Sequence, residues 1–280
     1  MFAVEDLCRV LNVGKSSYYQ WLGQTESIQS IKRRELTEEI RTTFHQFKGR
    51  YGSPKIHQEL LAKGIACTSQ RVAKIMQSEG LRCIIKKKYR VKTTDSDHKL
   101  AICENHLNRQ FAQDSPSKAW VSDITYIPTD QGWIYLTIVM DLYDRKIIGW
   151  SLSDDMTTSN TIGKAWKMAT INREIKSGLI FHSDRGVQYA SNEFKDLIKN
   201  KPIIQSMSRK GNCWDNAVAE NFFKILKSEL IYHKHFYSHF QAKVSIAEFI
   251  EAWYNRSRRH SYLGYMTPVE FENRYYKMAA

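Results

Sequence analysis

The chain has 280 residues with 42% hydrophobic content, enough for one sizeable core and one or two small satellites. Forty-two Lys and Arg oppose 29 Asp and Glu, a formal charge of +13, so a polyanion is the favoured partner. Nucleic acid is the first candidate and a membrane surface the second, although no run approaches the roughly 18 apolar residues of a membrane span. The opening MFAVEDLCRV lacks the apolar stretch of a signal peptide, so a cytoplasmic location is expected. The cysteines (Cys8, Cys67, Cys83, Cys103, Cys213) are odd in number and form no Cys-x-x-Cys pair. They are expected to be reduced, mostly buried thiols rather than disulfides or a zinc knuckle.

Val4 to Leu22 reads as two short helical pieces broken at Asn12 to Gly14, with Ser16 able to cap the second. The spacing fits a helix-turn-helix offering Lys15, Ser17 and Gln20 outward, and fits a plain structural pair equally well. Residues 24–34 lose periodicity and read as a connector, so residues 1–34 form a first segment. A second helical unit, residues 35–83, follows. Ser53 as cap and Pro54 in the first turn start one helix that buries Ile56, Leu60 and Leu61 and stops at Gly64. Another runs from about Ser69, burying Val72, Ile75 and Met76. With Lys55, Gln70, Arg71 and Lys74 facing out, this unit resembles a helix-turn-helix or winged-helix DNA-binding module. Residues 84–115 read as a basic linker. Lys86, Lys87 and Lys88 crowd its start and suit either solvent or a phosphate backbone.

From Lys118 the pattern turns to β. Strands are predicted near Trp120 to Tyr126, Trp133 to Asp141 and Lys146 to Ser153, with turns at Gln131–Gly132 and Asp144–Arg145. A helix over about 159–176, a short strand from Leu179 to His182, a helix around Phe194 to Ile198 and a strand from Ile203 to Met207 follow. The result is an α/β mixed five-stranded sheet flanked by helices, over residues 116–232. The loop SRKGNCWDN leads into a helix from about Asp215 to Leu230, with Asp215 as its cap. At about 100° per residue, Val218, Phe222 and Ile225 face inward while Asn216, Glu220, Lys224 and Lys227 face outward. A helical extension, residues 233–280, closes the chain. It contains a capping box at Thr267 and Glu270, and a basic aromatic stretch from Tyr254 to Tyr265 in which Arg256 and Arg258 suit phosphate contact better than packing.

Three carboxylates fall at strand ends or on the late helix: Asp123, Asp184 and Glu220. Converging at one sheet edge, they make a seat for divalent metal. Asp141 and Asp144 are explained by turn chemistry, and His182 by a hydrogen bond at a strand end.

Thirty-five residues separate Asp184 from Glu220, and Lys227 stands seven after the glutamate. With WVSDITYI, DLYDRKIIGW, HSDRGVQY, SMSRKGNCWDNAVAE and YNRSRRHSYLGYMTP, the chain closely resembles the downstream-frame (OrfB) part of transposases of the IS3 family of bacterial insertion sequences. The resemblance covers nearly the whole chain. It implies an RNase H-like, retroviral-integrase-like core in which Asp123, Asp184 and Glu220 hold two Mg²⁺, for which Mn²⁺ can substitute. In that arrangement Asp123 is shared between the ions. The implied activity is 3'-end nicking and strand transfer without a nucleotide cofactor, first between the element's two ends and then into target DNA. No zinc is expected, because the His, His, Cys, Cys module of retroviral integrases is missing. DNA along the Glu220 face would meet Lys224 and Lys227, with Arg209 and Lys210 clamping its backbone. The implied partners are the element's terminal repeats, target DNA, further copies of the chain in a dimer or larger assembly, and an upstream-frame (OrfA) protein. The implied place is the nucleoid. A metal nuclease that never joins strands and a DNA-binding regulator remain the alternatives.

Overall fold

The computed structural model describes residues 3–23, 26–85 and 100–279. Lys86, Lys87 and Lys88 lie outside them. The chain divides into two compact units, Met1–Cys83 and Ile84–Ala280.

In the first unit, α1 (Val4–Val10) and α2 (Lys15–Leu22) form a short pair, and α3 (Ile28–Gln46), α4 (Ser53–Ala62) and α5 (Ser69–Ser78) form a packed trio. The trio closes over Leu36, Ile40, Phe44, Tyr51, Ile56, Leu60, Val72, Ile75 and Met76, all buried. Three expectations are corrected here. The supposed connector is helical from Ile28, because Ser27 caps the helix by accepting from the Ser30 amide at 3.1 Å. Leu61 is 44% exposed, so the buried stripe of α4 is narrower than its apolar residues suggest. Ser53 is the first residue of α4 rather than its cap, a position held by Gly52.

The second unit is built on five strands: β1 (Ala119–Thr129), β2 (Gly132–Asp141), β3 (Ile147–Ser153), β4 (Leu179–Ser183) and β5 (Ile203–Met207). Their order across the sheet is β3-β2-β1-β4-β5. The first three pair antiparallel as a meander, and β4 and β5 add in parallel to β1. A π-helical turn, Ser159–Gly163, leads into α6 (Lys164–Asn172), and α7 (Val187–Ala190) and α8 (Asn192–Ile198) link β4 to β5. These elements bury Trp120, Trp166, Phe181, Tyr189 and Phe194 in one cluster. The helix approaches β3 at Gly149, where an added Cβ would stand 2.2 Å from the Ala165 carbonyl oxygen. Gly149→Ala is therefore expected to cost about 1–3 kcal/mol by overpacking, seen as a lower melting temperature.

A 3₁₀ turn, Cys213–Asn216, opens α9 (Ala217–Glu229), which packs on β1 and is followed by α10 (His239–Glu248), a π-helical stretch Phe249–Tyr254 and α11 (Pro268–Ala279). The capping box forms: the Glu270 amide donates to Thr267 Oγ1 at 3.1 Å and the Thr267 amide to Glu270 Oε2 at 2.8 Å. The C-terminal extension is laced to the sheet. Asn255 exchanges two 3.0 Å hydrogen bonds with the Ile147 backbone, and Lys146 and Arg173 both reach Glu272.

Residues 100–115, expected as linker, belong to this unit. Leu107 is fully buried, and the Met207 amide donates to the Glu104 carbonyl along the β5 edge. The topology of a three-strand meander extended by two parallel strands, with helices on it, is the RNase H-like α/β fold. Among the described residues no helix is long and apolar enough to cross a membrane. Cys8 is buried, but Cys67, Cys83 and Cys103 are only partly so, against the expectation of buried thiols.

Candidate active site

Alternation along β1 sends Ser122 and Asp123 to opposite faces of the sheet. Ser122 Oγ meets the Tyr189 hydroxyl at 2.8 Å inside the aromatic cluster, which leaves Asp123 on the other side. Part of Asp123 reaches water. Protein nevertheless surrounds it densely enough that desolvation, then the charges of Asp184 and Glu220, raise its pKa well above the usual carboxylate range.

Asp184 follows the last residue of β4, and its Oδ1 accepts from the Gly186 amide at 2.9 Å, which fixes the turn. The strand ends on either side are tied as well, since the Ser208 amide donates to the Ser183 carbonyl at 2.9 Å and Arg185 Nε to the Ser208 carbonyl at 2.6 Å. Glu220 sits in the first turn of α9 as an exposed residue. Partial desolvation and then the Asp184 charge raise its pKa. Lys227, two turns on, has its amine 5.7 Å from the centre of the Tyr126 ring. Desolvation lowers its pKa, against the pull of Asp123.

The charge of Asp184 thus raises the proton affinity of both Asp123 and Glu220, with the depressed amine of Lys227 beside Asp123. The donors are all oxygen, which suits a hard divalent cation. Asn216 supports the same reading: it is 2% exposed, its Nδ2 donates to the Ser122 carbonyl at 3.1 Å, and its Oδ1 is buried with no partner. That leaves an unmet acceptor one residue from Asp123. Among the described residues no three His, Cys, Asp or Glu side chains are already drawn around a single point as ligands.

The loop before α9 differs from expectation. Asp215 is not the helix cap. It is fully buried and accepts from the Arg209 amide (3.0 Å), Arg209 Nε (2.8 Å), Arg209 Nη2 (2.7 Å), Arg109 Nε (2.8 Å) and Asn105 Nδ2 (2.9 Å). These bonds, led by the Arg209 side chain, hold its carboxyl far below the usual range. Asn216, expected on the outer face, is buried against β1, because the turn before α9 is 3₁₀ and shifts the phase of its residues.

The expected DNA contacts divide. Lys210, Lys224 and Arg256 are exposed. Arg209 is half-exposed but carries an ion pair with Asp215. Arg258 is corrected: it is 8% exposed and donates to both oxygens of buried Glu229, whose Oε2 also accepts from Trp253 Nε1 at 2.8 Å. A charge so enclosed needs its partner and cannot meet phosphate. The stretch around it packs likewise, with Tyr254, Asn255, His260 and Leu263 buried.

His182 is buried between Ser206 Oγ (2.9 Å) and Ser208 Oγ (3.2 Å), and burial lowers its pKa to about 4, so it stays neutral. Asp141 and Asp144 make the turn bonds expected of them, to the Tyr143 and Lys146 amides, and also clasp Arg173. Sequence reasoning missed Asn105, Arg109, Tyr189 and Glu229. Tyr189 alone lay inside a motif that could have signalled it.

The fold and the carboxylate cluster define an integrase-core protein preceded by a helix-turn-helix-like module. The family profile "Integrase core domain" matches residues 113–213 and again 201–268, and "HTH-like domain" matches residues 32–89. The chain is 37% identical over 275 residues to the transposase InsF for insertion sequence IS3A of Escherichia coli strain K12, covering 98% of this chain and 95% of that one. It is 38% identical over 274 residues to an uncharacterized 31 kDa protein of insertion element IS600 of Shigella sonnei, covering 98% and 100%. The chain belongs to the IS3 family of insertion-sequence transposases. Among solved structures it is similar to a chain of the simian T-cell lymphotropic virus intasome, with TM-score 0.45, 16% identity, and coverage of 78% of this chain and 69% of that one. It is also similar to the HTLV-2 integrase catalytic core domain in complex with magnesium, with TM-score 0.41, 17% identity, and coverage of 56% and 96%.

Proposed function

We propose that this chain nicks DNA at the ends of its insertion element and joins the released 3' hydroxyl to a second strand, using Asp123, Asp184 and Glu220. The observation that carries the reading is that Asp123 on β1 and Glu220 on α9 both stand close enough to Asp184, just past β4, for its charge to raise their proton affinity. They would hold Mg²⁺, two ions with Asp123 shared, or Mn²⁺ in its place. When bound, the ions activate an attacking oxygen and stabilise charge on the leaving 3' oxygen of an in-line displacement. One phosphodiester replaces another, so no nucleotide cofactor is required.

The protein's own groups do the rest. The Asp184 turn and the laced ends of β4 and β5 fix one ligand, Asn216 anchors the start of α9 to β1, and the Asp215 clasp fixes the loop between β5 and α9. Lys227, partly desolvated beside Asp123, offers a cation to a backbone phosphate at the reacting end, and Lys224 and Lys210 extend that surface. Two ends must be held together for joining, so the working form is a dimer or larger, acting with an upstream-frame partner that supplies terminal-repeat binding.

The test is a reaction on labelled oligonucleotides carrying the element's own ends, with Mg²⁺ and the upstream partner supplied. A recombinant strand supports joining, and nicked products alone would reduce the chain to a nuclease. Lys227→Ala is expected to weaken binding of the ends several-fold while leaving the melting temperature within a few degrees of wild type. An equal loss of both would make Lys227 structural.

A further inference from the structure

The loop that delivers α9 carries one large side chain that the chemistry above does not use. Trp214 is 68% exposed, while its neighbours Asp215 and Asn216 are 0% and 2% exposed. Single exposed apolar residues are ordinary on protein surfaces. Trp214 differs because the backbone that presents it is fastened on both sides. Before it, Asn212 Oδ1 accepts from Arg109 Nη2 at 2.9 Å. After it, Asp215 takes five N–H donors, and Asn216 is bonded to the Ser122 carbonyl. The clasp joins two half-exposed guanidiniums, those of Arg109 and Arg209, to one carboxylate, which leaves a net positive charge at the residue next to Trp214.

Position adds to this. One residue lies between Trp214 and Asn216, so their α-carbons are at most about 7.6 Å apart, and Asn216 bonds the residue next to Asp123. An exposed aromatic side chain on a fastened loop, net positive charge in that loop, and a bond through Asn216 to the strand that carries Asp123 are the elements of a single-strand site, in which a base stacks while its phosphate meets a cation.

We propose that Trp214 stacks on an unpaired base at the DNA end held at Asp123, Asp184 and Glu220, so that the chain selects frayed ends over closed duplex. The inference rests on the reading of the chain as a DNA strand-transfer enzyme. Opening the terminal pair costs stacking energy, and the indole returns part of it.

The experiment compares one fluorescent duplex in two forms, blunt and with a short unpaired 3' tail, by anisotropy with the full chain and no divalent cation. Wild type is expected to prefer the tailed form. Trp214→Ala should lose roughly tenfold on the tailed duplex and less than about twofold on the blunt one, and Trp214→Phe should keep most of the preference. A 2-aminopurine in the tail should be quenched on binding wild type, a readout that holds whether or not a variant folds. An intact tail preference in Trp214→Ala, an equal loss on both duplexes, or no quenching by wild type overturns the proposal. Because no strand is cut in this assay, its failure leaves the joining reaction, tested through Asp123, untouched, and the converse holds.

Discussion

Asp123→Asn is expected to abolish nicking and joining, by roughly a thousandfold or more, and at the same time to raise the melting temperature measured without divalent cation. The activity loss follows because the shared ligand becomes neutral and binds a hard cation poorly. The stability gain follows from electrostatics. Desolvation, Asp184 and Glu220 raise the folded-state pKa of Asp123 above its unfolded value. A carboxyl with a raised folded pKa contributes stability below its unfolded pKa of about 3.9 and loses it as pH rises through the raised value. Asparagine does not ionise and so escapes that loss. Melting curves in a chelator should therefore separate as pH rises, with the variant the more stable. Added Mg²⁺ should then stabilise wild type more than the variant. Coincident curves at every pH, or retained joining, would remove Asp123 from the centre of the site.

The second large effect is expected at Arg173. Its side chain is 3% exposed and bonds Asp141 Oδ2 (2.7 Å), Asp144 Oδ2 (2.7 Å) and Glu272 Oε1 (2.5 Å). Burial works against its charge, but Asp144 and Asp141 outweigh that and hold the guanidinium protonated. Arg173→Met leaves two fully buried aspartates unpaired, at a cost of about 3–5 kcal/mol. In a chain of this size that lowers the melting temperature by on the order of 10 °C. The defect should shrink in acid. Even with Arg173 present, burial raises the Asp144 carboxyl from its ordinary 3.8 to about 6, so its stabilising proton is fully held below 3.8 and lost as pH rises through about 6. Without the arginine that carboxyl protonates more readily still. The gap between variant and wild type should narrow between about pH 8 and about pH 5, and a constant gap would refute this account of the network.

How much of this could be read beforehand depended on the range of the interaction. The five strands were legible because alternation and turn residues are local, and Asp123, Asp184 and Glu220 because each sits inside a distinctive string. The start of α3 was not: among its buried residues the first is Leu36, so its opening turns are held by the Ser27 cap and propensity rather than by an apolar stripe. Asp215 was misread because its partners Arg109 and Asn105 lie more than 100 residues upstream, beyond any local pattern. Arg258 was misread because a basic run looks the same whether it faces solvent or encloses a distant glutamate. The three candidate carboxylates were therefore visible in the sequence, while the scaffold that holds the segments around them was not.

Helix α9 carries Glu220 near one end and Glu229 as its last residue, about 13.5 Å apart along its axis. The first is exposed, and the second is locked to Arg258 and Trp253. The helix is a rod with its far end bolted, so the tip that carries Glu220 cannot pivot without straining the bolt.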